Sequence, residues 1–61
     1  MQAFSITGNS NHITDQLRQL RQQWGPPGTD WNFVGNYKQI SVYTVNSKLI
    51  VWLLLRGFSK I

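Results

Sequence analysis

Leu49-Ile50-Val51-Trp52-Leu53-Leu54-Leu55 is an unbroken run of seven apolar residues in a chain of 61. A strand with one wet face alternates apolar and polar side chains, so an uninterrupted run of strand length predicts a strand covered on both faces. Its surroundings support that reading. Residues 37–45 are rich in β-branched and aromatic types, and only Asn46-Ser47 separates them from the 48–58 segment, a spacing that suits a tight hairpin. With that turn, Ile40, Val42 and Thr44 are expected opposite Leu53, Val51 and Leu49 on one face. Gln39, Ser41 and Tyr43 then lie opposite Leu54, Trp52 and Ile50 on the other. The second face gathers Tyr43, Ile50, Trp52 and Leu54 into an apolar surface that so short a chain has nothing left to cover.

Toward the N-terminus, Gln2-Ala3-Phe4-Ser5-Ile6-Thr7 alternates, with Phe4 and Ile6 on one side, and predicts a first strand. Gly8-Asn9-Ser10-Asn11 interrupts it, and Ser10 or Asn11 is expected to cap the helix that follows, with Asp15 adding a favourable charge near its start. The helix is predicted over 12–24. Ile13, Leu17, Leu20 and Trp24 form its apolar stripe, with Thr14, Arg18 and Arg21 along one border and Gln16, Gln19 and Gln23 along the other. Gly25 is placed for a C-terminal cap and Pro26-Pro27 forbids continuation. Trp31-Asn32-Phe33-Val34 is a further short extended segment, and Gly35-Asn36 a turn. The expected architecture is α+β: a two-layer β-α-β-β unit, one amphipathic helix packed on a small antiparallel sheet, forming a single domain over 1–61.

Six Lys/Arg against two acidic residues give a net charge of +4, and there is no cysteine. A domain this small buries only about 60% of its unfolded surface and needs disulfides, a metal or association to help. The first is excluded by composition. One histidine and two aspartates do not make a tetrahedral metal cage, so no metal and no cofactor are expected. Association remains, and a homodimer or larger assembly is the expectation. The start of the chain has neither the basic stretch nor the apolar core of a secretory leader. The seven-residue run is far short of the roughly 20 that cross a bilayer, so a cytoplasmic protein without membrane contact is expected.

Catalytic chemistry has little to work with. Ser10, His12 and Asp15 are close in sequence, but a helix start accounts for Ser10 and Asp15 without a nucleophile and its base. Gly25-Pro26-Pro27-Gly28 follows a helix and its prolines have no N–H for phosphate, so helix termination is its reading. Arg18 and Arg21 can in principle address base edges, yet no second helix presents them, and a solvated outer face is expected. The chain is not expected to be an enzyme.

Basic charge and strand-borne rings together suggest a platform for nucleic acid. Tyr37, Tyr43 and Trp52 would stack bases while Lys38, Lys48 and Arg56 hold phosphates. The expected function is thus a small basic non-enzymatic binding protein, oligomeric, that engages nucleic acid through these residues. The alternative is a compact protein-binding inhibitor or adaptor, or a small subunit of a larger complex, that uses Tyr43, Ile50, Trp52 and Leu54 as its interface.

Overall fold

The structure, a computed structural model, describes residues 2–28, 30–36 and 38–61. Its elements are β1 (Gln2–Thr7), α1 (Ser10–Trp24), β2 (Trp31–Gly35), β3 (Gln39–Thr44), α2 (Ser47–Leu55) and β4 (Ser59–Lys60). The strands form one antiparallel sheet in the order β2-β3-β1-β4. This β-α-β-β-α-β order, with β3 inserted between β1 and β2, is the split β-α-β connectivity. The α+β class read from the sequence holds, and the helices share the sheet face that carries the core.

The main correction concerns the apolar run. It is the second helix, not the return strand of a hairpin. Asn46 is its N-cap: the side-chain Oδ1 accepts from the backbone N–H of Lys48 and of Leu49. At the other end the Phe58 N–H reaches the Leu53 carbonyl at 3.0 Å, and the Gly57 N–H reaches that of Leu54 at 3.2 Å. Gly57, at φ 94°, supplies the positive φ between them. These bonds make a Schellman motif, and its usual apolar contact is available because Phe58 and Leu53 are both buried. A two-residue hairpin turn would instead ask for positive φ at Asn46, and in its type I′ form at Ser47 too, whereas no described non-glycine residue has a positive φ. The four leucines of the run, Leu49, Leu53, Leu54 and Leu55, are strong helix formers.

The register proposed for Ile40, Val42 and Thr44 against Leu53, Val51 and Leu49 is therefore not formed. Their Cα partners are Ile6, Phe4 and Gln2 on β1, and Gly35, Phe33 and Trp31 on β2. Phe4, Ile6, Ile40, Val42 and Trp31 point to the helices and form the core with Ile13 and Leu20 of α1, Leu49 and Leu53 of α2, and Phe58. Thr44 is buried with its hydroxyl satisfied twice: it donates to the Asp30 carbonyl at 2.8 Å and accepts from the Asn46 N–H at 3.0 Å. One side chain thus ties the end of β3 to the approach to β2 and to the start of α2.

The first helix keeps its predicted end and stripe but starts two residues earlier, at Ser10, so that Asp15 lies beyond its first turn. Its cap and one border residue also differ. Asn9, not Ser10 or Asn11, is the N-cap, accepting from the His12 N–H at 2.9 Å. Gln16, expected on a polar border, is buried, and its Oε1 has no hydrogen-bond partner among the described residues. Gly25 closes the helix through its N–H to the Arg21 carbonyl, while the Gly25 carbonyl accepts from Trp31 Nε1 at 3.1 Å. That indole bond fixes where β2 begins. Trp31 then stacks on Phe33, centroids 5.9 Å apart.

Candidate interaction surfaces

The residues expected to form one platform are distributed over both sides of the sheet. Strand alternation puts Tyr43 on the face away from the helices, with Ala3, Ser5, Ser41, Asn32 and Val34. Lys38 is exposed in the turn after Asn36, whose Oδ1 accepts from the N–H groups of Lys38 and Gln39. Lys48, Trp52 and Arg56 belong to α2 and its C-cap, on the opposite side. Tyr37 lies outside the described residues. The open sheet face consequently offers one described ring and no strand-borne cation beside it.

The interface set is corrected in the same way. Tyr43 is on β3, whereas Ile50, Trp52 and Leu54 are on α2, and these four do not share a face. Ile50 and Trp52 are half-buried against the core. Trp52 meets Trp24 of α1 edge-on, centroids 6.5 Å apart, and Arg56 lays its guanidinium 4.8 Å over the Trp52 ring. An aromatic contact of this kind adds about 0.5–1.5 kcal/mol beyond area burial, and here it locks one helix to the other. Trp52 is a packing residue with a cation over its ring.

Leu54 is the member of that set that faces water. It is 51% exposed, and on the same side Val51 is 56% and Leu55 83% exposed. At 3.6 residues per turn, positions 51, 54 and 55 group opposite the buried pair Leu49 and Leu53. Helix α2 is thus apolar on both sides; exposed Lys48 flanks the outer strip at its start, while Arg56, at the C-cap, is turned over Trp52. Neither aspartate belongs to this helix.

A second feature was not anticipated. Between α1 and the β2 edge lies a cleft of about 620 Å³. Ile13, Leu17, Phe33 and Ile40 give it an apolar floor, and Arg18 and Arg21 stand on its helical wall. Arg18 is paired with Asp15 one turn back, an exposed contact of small energetic weight. Arg21 has no ion pair among the described residues. The sequence carried a hint, because Thr14, Arg18 and Arg21 border one side of the α1 stripe and only glutamines the other. That asymmetry shows which flank is cationic but not that a cleft opens there.

Among the described residues, no group of three or more metal-ligating side chains comes together, and no helix is long and apolar enough to cross a membrane. Comparison with known proteins finds no matching family, no matching curated protein and no matching solved structure.

Proposed function

We propose that this chain is a non-enzymatic protein-binding module that docks through the outer face of α2. The partner presents an apolar helix or strip flanked by carboxylates. The observation behind this reading is the exposure of Val51, Leu54 and Leu55 on a nine-residue helix whose other side is core. Solvent-facing positions of a helix have no packing reason to be apolar, and a contiguous apolar patch rimmed by charge is a common signature of an interaction site. The rim chooses the partner. Lys48 flanks the strip on a chain of net charge +4, so a second copy would bring like charges together, while an acidic flank would complement it.

Area points the same way. A standard stable interface takes about 800 Å² from each partner, roughly a fifth of the 4044 Å² this chain exposes. Three side chains and their charged rim supply a part of that, which fits a moderate, reversible contact better than a permanent dimer.

The test is titration of the isotope-labelled chain with a synthetic amphipathic helical peptide that has a leucine face and glutamate flanks. The expected result is amide shifts confined to residues 47–57, loss of about tenfold in affinity on Leu55→Lys, and much weaker binding of the same peptide with lysine flanks. Two outcomes overturn the reading. One is self-association that doubles the mass and is abolished by Leu55→Lys, which makes the occupant a second copy. The other is a single-stranded oligonucleotide that shifts Lys38 and Tyr43 amides while the peptide leaves α2 unmoved, which restores the nucleic-acid function expected from composition.

A further inference from the structure

The cleft between α1 and β2 lies at the end of the inward row of β2. Alternation on β2 sends Trp31 and Phe33 to the helix side, and the third position on that side is Gly35, opposite Ile40. The inward row therefore ends without a side chain beneath α1, on the edge strand of the sheet. Glycine is required there. Its φ is 148°, and a Cβ would come within 2.3 Å of the Gln39 carbonyl oxygen. Gly35 lines the cleft, and no neighbouring side chain among the described residues fills it.

The lining of that space divides by chemistry. Ile13 and Ile40 are buried, and Leu17 and Phe33 half-buried, so the floor is hydrocarbon. Arg18 and Arg21, three residues apart on α1, stand on one wall, and among the described residues no acidic side chain lines the cleft. Arg18 is partly engaged by Asp15, which leaves Arg21 as the cation with its donors open. A pocket of roughly 300–1,000 Å³ with an apolar body and few polar groups is the usual form of a small-molecule site.

We infer that this cleft binds a small amphipathic anion: an unbranched or aromatic hydrocarbon body lying on Ile13, Leu17, Phe33 and Ile40, with a single carboxylate-type head held by Arg21 and assisted by Arg18. The planar guanidinium is suited to bidentate contact with such a head. A neutral hydrocarbon would leave the cationic wall unused, and an organic cation would be repelled by it. The other polar lining residues, Thr14, Gln22 and Asn36, are uncharged. This site is separate from the outer face of α2, and the two stand or fall independently.

Binding of 8-anilinonaphthalene-1-sulfonate, an amphipathic anion whose fluorescence rises in apolar surroundings, tests the inference, with dodecanoate below its micelle concentration as competitor. The dye should bind and be displaced by dodecanoate but not by dodecyltrimethylammonium. Arg21→Gln should weaken both anions about tenfold, and Arg21→Lys should recover part of the loss. Thr14→Trp, at an exposed position on the cleft wall, should compete with the hydrocarbon body and reduce binding, while Leu55→Lys on α2 should change nothing. Circular dichroism on each variant confirms an unchanged fold. Dye binding that ignores Arg21→Gln, equal displacement by the alkylammonium, or loss of the signal on Leu55→Lys would each overturn it, the last by placing the dye on α2.

Discussion

Leu53→Ala should lower the melting temperature of the isolated chain by about 10 °C or more, whereas Val51→Ala, two residues away, should hardly move it. Leu53 is fully buried between α2 and the sheet, and deleting buried leucine atoms costs about 2–5 kcal/mol through lost burial and the cavity left behind. At roughly 0.05–0.15 kcal/mol per residue, a chain of 61 residues has only about 3–9 kcal/mol in total. One truncation therefore removes a large share, and in a small domain each kcal/mol is worth about 4–8 °C. Val51 is more than half exposed, and its truncation belongs with surface changes of about 0.5 kcal/mol or less. In a hairpin, Leu49, Val51 and Leu53 alternate onto the same inward face, and Val51→Ala would then cost nearly as much as Leu53→Ala. Thermal melts followed by far-ultraviolet circular dichroism separate the two cases.

Gly35→Ala should be as damaging, although it adds one methyl group and removes nothing. The added Cβ would stand 2.3 Å from the Gln39 carbonyl oxygen and 2.7 Å from the Ile40 Cα, both backbone atoms with no rotamer to change. The φ of 148° adds backbone strain on its own account. Together these should cost about 3 kcal/mol or more, because relief requires moving the β2–β3 turn that Asn36 ties to Lys38 and Gln39. Gly57→Ala is the matched comparison. Its φ is also positive, but nothing lies within 4 Å of the added Cβ, so its cost should be the backbone preference alone, about 1–2 kcal/mol. Urea midpoints for the two variants give both numbers, and equal losses would show that the close contact at Gly35 is relieved cheaply.

How far the sequence could be read depended on whether local chemistry had one interpretation or two. The first strand was legible because Phe4 and Ile6 alternate with polar neighbours. The first helix was legible because Ile13, Leu17, Leu20 and Trp24 keep helical spacing between a polar start and Gly25-Pro26-Pro27. The 49–55 run has no period at all, and a short apolar run fits a buried strand and a buried helix equally. Asn46-Ser47 had the same double meaning, since asparagine serves a turn or an N-cap. The signal that settles it is Gly57 followed by apolar Phe58: with Asn46 eleven residues earlier, it frames one helix with a cap at each end.

The site readings followed the fold reading. Placing Trp52 on a strand put it beside Tyr43. On a helix it turns to Trp24 instead, and Arg56 closes over it. The apolar sheet face of Tyr43, Ile50, Trp52 and Leu54 is not formed; the exposed apolar residues of this region are Val51, Leu54 and Leu55 of α2. The cleft could not be read from sequence. It needs the pairing of Gly35 with Ile40, a contact between strands that no local pattern announces.

Whether residues 47–55 form a helix is the point on which the docking face stands, and backbone NMR of the free chain answers it. The expected result is an unbroken set of helical 13Cα shifts and sequential amide–amide NOEs that begins after Asn46 and stops before Gly57, with an NOE from the Phe58 ring to the Leu53 side chain. Extended-type shifts over the same residues, with a cross-strand NOE between Val51 and Val42, would contradict it and return Val51 and Leu55 to the interior.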